Sequence, residues 1–297
     1  MQVKRKSLAA FVASMVIFGT IGILRRMIPL PSEALAFARG VLGSIFLLLV
    51  LKGSGRRFDA AAARRGAGWL ILTGAMIGVN WILLFEAYNH TSVAVATLCY
   101  YMQPVIVILA SPLVLGEKIT PKKGICVILS LIGMLLVSGI VDGGAAPAGS
   151  LRGVLLGLGA AVLYAGVVLL NKKITGVPVF EKTILQLASA AIVLVPYMIA
   201  AGTWRTYPLT AGQAVCLLTA GIVHTGIAYA LYFWGVEDLQ AQTSALLSYI
   251  DPVTAVLLSA GLLHERMTVW TGIGAVLILG SAAFSERQAG SDPDRNR

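Results

Sequence analysis

Charge is what this sequence has least of. Only 12% of its 297 residues are Asp, Glu, Lys or Arg, while 58% are hydrophobic. Soluble domains carry about 25% charged residues, and no single aqueous core hides this much apolar surface. Cysteine is scarce too. Cys99, Cys126 and Cys216 lie inside apolar runs without Cys-x-x-Cys or Cys/His spacing, which argues against a disulfide framework or a metal site. No Gly-x-x-x-x-Gly-Lys-Ser/Thr loop is present, so direct ATP drive has no support. Nor is there a Ser/His/Asp order, a pair of aspartates or a His-x-x-x-His spacing at matched depth. An intramembrane enzyme is therefore left without its chemistry, and no cofactor is expected. Long polar segments are also missing. The longest loop runs from Lys52 to Gly66, too short for an appended soluble domain.

What is present fits a bilayer. Mean hydropathy is +0.85, and crossing about 30 Å of hydrocarbon takes roughly 20 apolar residues as helix. Ten windows qualify: 7–24, 33–51, 67–88, 92–115, 121–140, 151–171, 180–201, 211–234, 242–263 and 268–285. The formal charge of +10 comes from basic tracts between these runs and forms no continuous patch, so nucleic acid is not an expected partner. Sorted by side, sixteen Lys and Arg fall with the N-terminus and five opposite, with Arg39 and Lys182 within or at the mouth of spans. The positive-inside bias then predicts both termini in the cytoplasm of a cell with its chain in the inner or plasma membrane. Lys4, Arg5 and Lys6 before an apolar run look like a signal peptide, but no small-residue cleavage site precedes Arg25, so the first span is expected to stay.

The chain repeats itself. At an offset of 148 residues Pro104 falls on Pro252, Tyr101 on Tyr249, Glu117 on Glu265, Lys118 on Arg266, Thr120 on Thr268, Gly124 on Gly272, Gly78 on Gly226 and Phe85 on Phe233. Eight matches at one offset, prolines and glutamates among them, mark a duplication. Each copy has five spans, an odd number, so the second copy enters the membrane from the opposite face. The expected fold is all-α and integral to the membrane, with ten transmembrane helices as two inverted five-helix repeats around a central cavity. Residues 1–140 make the first repeat, 141–150 a linker, 151–285 the second repeat and 286–297 a tail.

The run Tyr88-Asn89-His90-Thr91-Ser92-Val93-Ala94-Val95-Ala96-Thr97 leads to Pro104 and Gly116-Glu117-Lys118. Its second copy, Ala241-Gln242-Thr243-Ser244-Ala245, leads to Pro252 and His264-Glu265-Arg266. In these features the chain resembles the drug/metabolite transporter superfamily, specifically its EamA-type ten-helix members, over residues 7–285. The resemblance implies export or exchange of amino acids, other metabolites or drugs through a cavity between the halves. It names no substrate. Asp251 stands where the first copy has Gln103, so coupling chemistry can differ between halves.

Pro104 and Pro252 each remove a helical hydrogen bond and are expected to kink spans four and nine, freeing the carbonyls of Tyr100 and Ser248. In hydrocarbon such carbonyls need partners or water. Ser244, Ser248, Asp251 and Ala255 share one face of span nine, matched on span four by Ala96, Tyr100, Gln103 and Val107. We expect these faces to oppose each other across a substrate path lined by Tyr100, Gln103, Ser248 and Asp251, rather than to form a purely structural kink. An aspartate at mid-depth costs about 3 kcal/mol on insertion scales. Asp251 is the first candidate to carry a proton or bind an amine, against a plain helix-to-helix hydrogen bond. His224 is the second candidate for either role, since a hydrated imidazole titrates near neutrality, although a lone buried histidine is usually structural. Glu86, with His90 at i+4, is an outer proton acceptor or an interfacial carboxylate in water. Asn80 and Trp81 near mid-depth offer an amide and a stacking wall, while Tyr164 and Asn171, at i and i+7, can complete the wall. Asn171 can instead cap its helix. Gln186 reads as helix-to-helix glue.

Arg39 can snorkel outward, or point inward to a carboxylate such as Glu86. Glu117 and Glu265 read as helix-start residues beside Thr120 and Thr268. Gly74 with Gly78, Gly153 with Gly157 and Gly40 with Ser44 suit close helix packing. The expected function is secondary transport of amino-acid-like or amphipathic metabolites by alternating access, as a proton-coupled exporter or exchanger, with small-molecule substrate, bilayer lipid and protons as partners and a monomer as the default. The alternatives are an uncoupled facilitator or lipid translocator of the same fold, and a non-transporting membrane subunit.

Overall fold

The computed structural model describes residues 2–21, 24, 27–90, 96, 99–137, 141, 151–263 and 268–289. Arg25, Arg26, the stretch 91–95 with Thr97, most of the linker, the trio His264-Glu265-Arg266, the end of the tail and the Ala255 side chain lie outside that description. The described elements are helical: α1 Gln2–Gly19, α2 Ser32–Gly53, α3 Ala60–His90, α4 Gln103–Leu115, α5 Pro121–Val137, α6 Leu151–Lys173, α7 Val179–Ala200, α8 Ala211–Gly221, α9 Ala228–Asp238, α10 Ala241–Leu247, α11 Ile250–Leu263 and α12 Val269–Ala289. A π-helical turn, Ile222–Ile227, joins α8 to α9 as one rod. A short break at Ser248 and Tyr249 separates α10 from α11. Grouped so, the described helices make ten rods, of which five are long and apolar enough to cross a bilayer by length and composition. The longest, α3, has 31 residues and so reaches about 46 Å, well past the hydrocarbon.

The surface inverts the soluble pattern. Leu113, Ile192 and Val276 are 90%, 69% and 71% exposed, whereas Ser7, Ser14, Thr73, Asn80, Ser111, Ser130, Gln186 and Gln242 are fully buried. Lipid tails accept apolar side chains without cost, while polar ones must find partners inside. Ser130 and Ser281 do so across α5 and α12, hydroxyl to hydroxyl at 2.7 Å.

Three helix pairs fix the relation of the halves. Gly40 of α2 faces Ala191 of α7 while Gly43 faces Leu187. Ser130 of α5 meets Ser281 of α12 while Gly133 faces Ile278. Ser111 of α4 accepts from Gln242 of α10 at 2.8 Å, and Tyr101 accepts from Tyr249 at 3.0 Å. In each pair of repeat-related rods the numbers run in opposite senses, so equivalent helices are antiparallel and the second unit is inverted. The remaining packing obeys the same exchange: α3 lies on α6 as α9 lies on α1, and α3 lies on α7 as the π-turn lies on α2. Glycine permits these approaches. A Cβ on Gly74 would come 2.5 Å from the Gln186 carbonyl, and one on Gly78 would come 2.7 Å from that of Ala190.

The prolines interrupt their helices more sharply than a kink. Pro104 sits in the first turn of α4, where its missing N–H costs nothing, and Pro252 occupies the same place in α11. The expected open carbonyl on Ser248 is corrected by the structure: it accepts the Asp251 N–H at 3.3 Å, a shortened i to i+3 bond across the break.

Candidate functional site

Where the interrupted rods meet, the halves enclose a cavity of about 460 Å³. Its wall takes Met15, Phe18 and Ile21 from the end of α1, Ser32, Leu35 and Arg39 from the start of α2, and Trp81, Leu84 and Phe85 from the far half of α3. Tyr100 and Tyr101 come from just before α4 and Gln103 from its start, Tyr164 from α6, Tyr229 and Tyr232 from α9, Ser248 from the break between α10 and α11, and Asp251 from the first turn of α11. The cavity therefore extends toward the end of the bundle opposite the N-terminus.

Aromatic rings form the body of the wall. Phe18 meets Tyr229 edge-on at 5.1 Å between centroids, Trp81 meets Tyr229 at 6.3 Å, and Tyr164 lies 6.1 Å from Tyr100 and 6.2 Å from Tyr232. Tyr229 and Tyr232 also meet edge-on, at 6.4 Å, so the rings of Trp81, Tyr229, Tyr232 and Tyr164 form one contiguous cluster. Asp251 shares this wall with the Tyr101 ring. Arg39 donates through Nε to Thr225 Oγ1 at 3.0 Å and lies 5.7 Å from the centre of the Trp81 ring. Such a wall can hold a small molecule with an apolar body and polar ends.

The opposite end is plugged by the corner between α9 and α10. Glu237 pairs with Lys182, which also donates to the Ile174 carbonyl at 3.0 Å. Asp238 accepts from Ser7, and Leu239 carbonyl accepts from Lys172. Lys123 donates to Gln240 at 2.9 Å. Glu117 accepts from the N–H groups of Ala241 at 2.8 Å and Gln242 at 3.3 Å. Glu117 thus does stabilise a helix start, but that of α10 in the other half, where two orphan N–H groups need an acceptor. One corner is tied to α1, α5, α6, α7 and the end of α4.

Of the residues expected at the site, Trp81, Tyr100, Gln103, Tyr164, Ser248 and Asp251 share the cavity wall. Asn80, Asn171 and His224 do not line it, and their placement there is corrected; Glu86, expected as an outer group, lies off the wall as well. Asn80 donates to the Ala160 carbonyl at 2.6 Å, joining α3 to α6. Asn171 donates to the Val167 carbonyl at 2.9 Å and accepts from Gln186 at 3.0 Å, with Gln186 also bonded to Thr73 at 2.6 Å. His224 Nε2 is 2.6 Å from the Thr20 hydroxyl. Glu86 accepts from Tyr197 at 2.7 Å and stands 3.9 Å from His90. Buried amides and imidazoles take the nearest neighbouring helix as partner because hydrocarbon offers none. Gln186 is the glue it was expected to be, and Arg39 turns inward without reaching Glu86.

The aromatic residues Tyr229 and Tyr232 were not anticipated, although the repeat carried the signal: at offset 148 they fall on Trp81 and Leu84. The EamA-like transporter family model matches residues 5–139 and again 151–286. The chain belongs to the EamA-like transporter family. It is a multi-pass membrane protein, and its class of function is transport. Among relatives of this transporter, an uncharacterized transporter, YxxF, of Bacillus subtilis (strain 168) is 30% identical, over 95% of this chain and 90% of its own. One from Archaeoglobus fulgidus is 26% identical over 94% and 96%. The pseudopaline exporter CntI of Pseudomonas aeruginosa is 28% identical over 65% of each chain. A solved crystal structure superimposes with a TM-score of 0.83 at 19% identity, over 95% of this transporter and 98% of that chain, a likeness of fold.

Proposed function

We propose that this transporter is a secondary exporter or exchanger of amino-acid-like or amphipathic metabolites, coupled to protons through Asp251 and working by alternating access. The observation that carries the reading is one ionisable carboxylate on the wall of an aromatic cavity that is plugged at one end. A buried carboxylate is stable only when neutralised, by a proton or by a cationic group on the substrate. Proton and amine then compete for one site, and each is released when the other arrives. That competition is the minimum requirement for antiport.

With both termini in the cytoplasm of a plasma-membrane protein, as the basic tracts favour, the cavity faces outward and the α9–α10 corner is the inner plug. Two repeats related by a pseudo-two-fold axis give two states of similar energy, one closed at each end. One chain contains both halves, so a monomer suffices. The exporter named among the relatives supports the outward direction.

The test is flux in proteoliposomes across an imposed pH gradient, with a metabolite panel and with Asp251→Asn beside the parent. The parent is expected to accumulate substrate against its gradient, and the variant only to equilibrate it. Equal accumulation by the variant removes Asp251 from coupling. Flux indifferent to the pH gradient in both points to an uncoupled facilitator.

A further inference from the structure

A guanidinium within a membrane span demands an anion or its equivalent. Arg39 lines the cavity, yet its partners leave its charge uncancelled. The Thr225 hydroxyl is neutral, and the Trp81 ring supplies only the weak field of its face. The ion pairs among the described residues join Lys182 to Glu237 and His90 to Glu86, and neither includes Arg39. The bond to Thr225 uses Nε, which leaves the Nη protons of the fork for another acceptor.

This placement is built in. Thr225 lies in the π-turn, and its hydroxyl donates to the Ala220 carbonyl five residues back at 2.9 Å. The oxygen thereby keeps a lone pair for Arg39. π-turns interrupt regular hydrogen bonding and concentrate at functional sites. Gly43 lets α2 approach the same turn, since a Cβ there would lie 3.0 Å from the Thr225 methyl. A second donor without a hydrogen-bond partner lies at the cavity wall on α4: Gln103 lines the cavity and is 5% exposed, and its Nε2 is unpaired.

We infer that Arg39 is the specificity-determining residue for a carboxylate on the substrate, with the Gln103 amide as second donor and Thr225 as the positioning residue that holds the guanidinium in the cavity. The inference rests on the transport reading above and narrows its substrates to carboxylate-bearing molecules whose apolar body lies against the aromatic wall. A lone fork and one amide match a monoanion of this shape.

Calorimetry on the detergent-purified full chain tests it with three probes sharing one phenyl body: 3-phenylpropionate, L-phenylalanine and phenethylamine. The parent is expected to bind both carboxylates more tightly than the amine. Arg39→Gln should weaken the carboxylates by roughly 10- to 100-fold and the amine far less. Arg39→Lys, which keeps a point charge without the fork, and Thr225→Val should each fall between parent and Arg39→Gln, with melting curves reporting the fold of every variant. Preference of the parent for phenethylamine, no binding of either carboxylate by the parent, or Arg39→Gln binding carboxylates like the parent overturns the assignment. Flux separates the two claims. Carboxylate binding without flux in proteoliposomes sinks the transport reading and leaves Arg39 in place; flux of the amine equal to that of the carboxylates does the reverse.

Discussion

In the alternating-access cycle proposed above, opening the plugged end separates Lys182 from Glu237, which gives the proposed gate a measurable strength. Lys182 is 1% exposed, on α7, and the Glu237 side chain is 34% exposed, on α9. Removing one partner of a fully buried pair costs about 3–5 kcal/mol, because the other charge is stranded. Glu237 is a third exposed, so water already shares it and the figure drops to about 1–3 kcal/mol. Lys182 keeps its bond to the Ile174 carbonyl in either case. Glu237→Gln therefore weakens the closed state by that amount relative to an open one in which Lys182 is hydrated, a shift of roughly 5- to 150-fold in the closed-to-open ratio. The assay is labelling of a single cysteine at Ser248 by an impermeant maleimide applied from the side of the termini, after Cys99, Cys126 and Cys216 are replaced. Labelling should accelerate by a factor in that range. Replacing both partners by Leu and Met should slow it again, since an apolar pair of similar volume keeps the corner packed without a stranded charge. Unchanged labelling in Glu237→Gln would refute the idea that this pair holds the corner.

Two further changes test where the polar residues act. Asn80→Ala removes the bond to Ala160 and should lower thermal stability by about 0.5–1.5 kcal/mol while leaving the KM for transport unchanged; a raised KM would return Asn80 to the substrate path. Gly78→Val drives a side chain into the Ala190 carbonyl and should abolish the folded yield, whereas Gly280→Ala, with nothing within 4 Å of the added atom, should behave like the parent by size-exclusion profile.

The division between what could be read early and late follows from the solvent. A bilayer imposes length and apolarity on every crossing segment, so the spans, the duplication and the inversion implied by an odd span count were all legible. The two prolines marked where the rods break, and Tyr100, Gln103, Ser248 and Asp251 do line the cavity, whereas Ala96, Val107 and Ser244 of the same faces are buried away from it. The polar residues divided otherwise. Asn80, Asn171 and His224 are of the types a substrate site uses, yet each is bonded to a residue of another part of the fold, Asn171 through the Gln186 amide of α7. Linear spacing shows which face a residue occupies on its own helix, and cannot show what stands opposite.

Hydrophobic periodicity also loses its force in this setting, because lipid and protein interior are equally apolar. In water the pattern around a helix points to the core. Here Trp69, half exposed, and Trp81, 8% exposed, lie on one helix in equally hydrophobic surroundings. The amino-acid order alone determined that ten apolar segments form two opposed copies, since that much follows from composition, length and parity. Only the packed structure decided that Arg39 turns inward onto a π-turn, that Glu117 caps a helix of the other half, and that five tyrosines and a tryptophan share one cavity wall with Asp251. Those outcomes depend on contacts between helices far apart in the chain, where the one favourable partner for a polar atom is whichever neighbour the fold brings within about 3 Å.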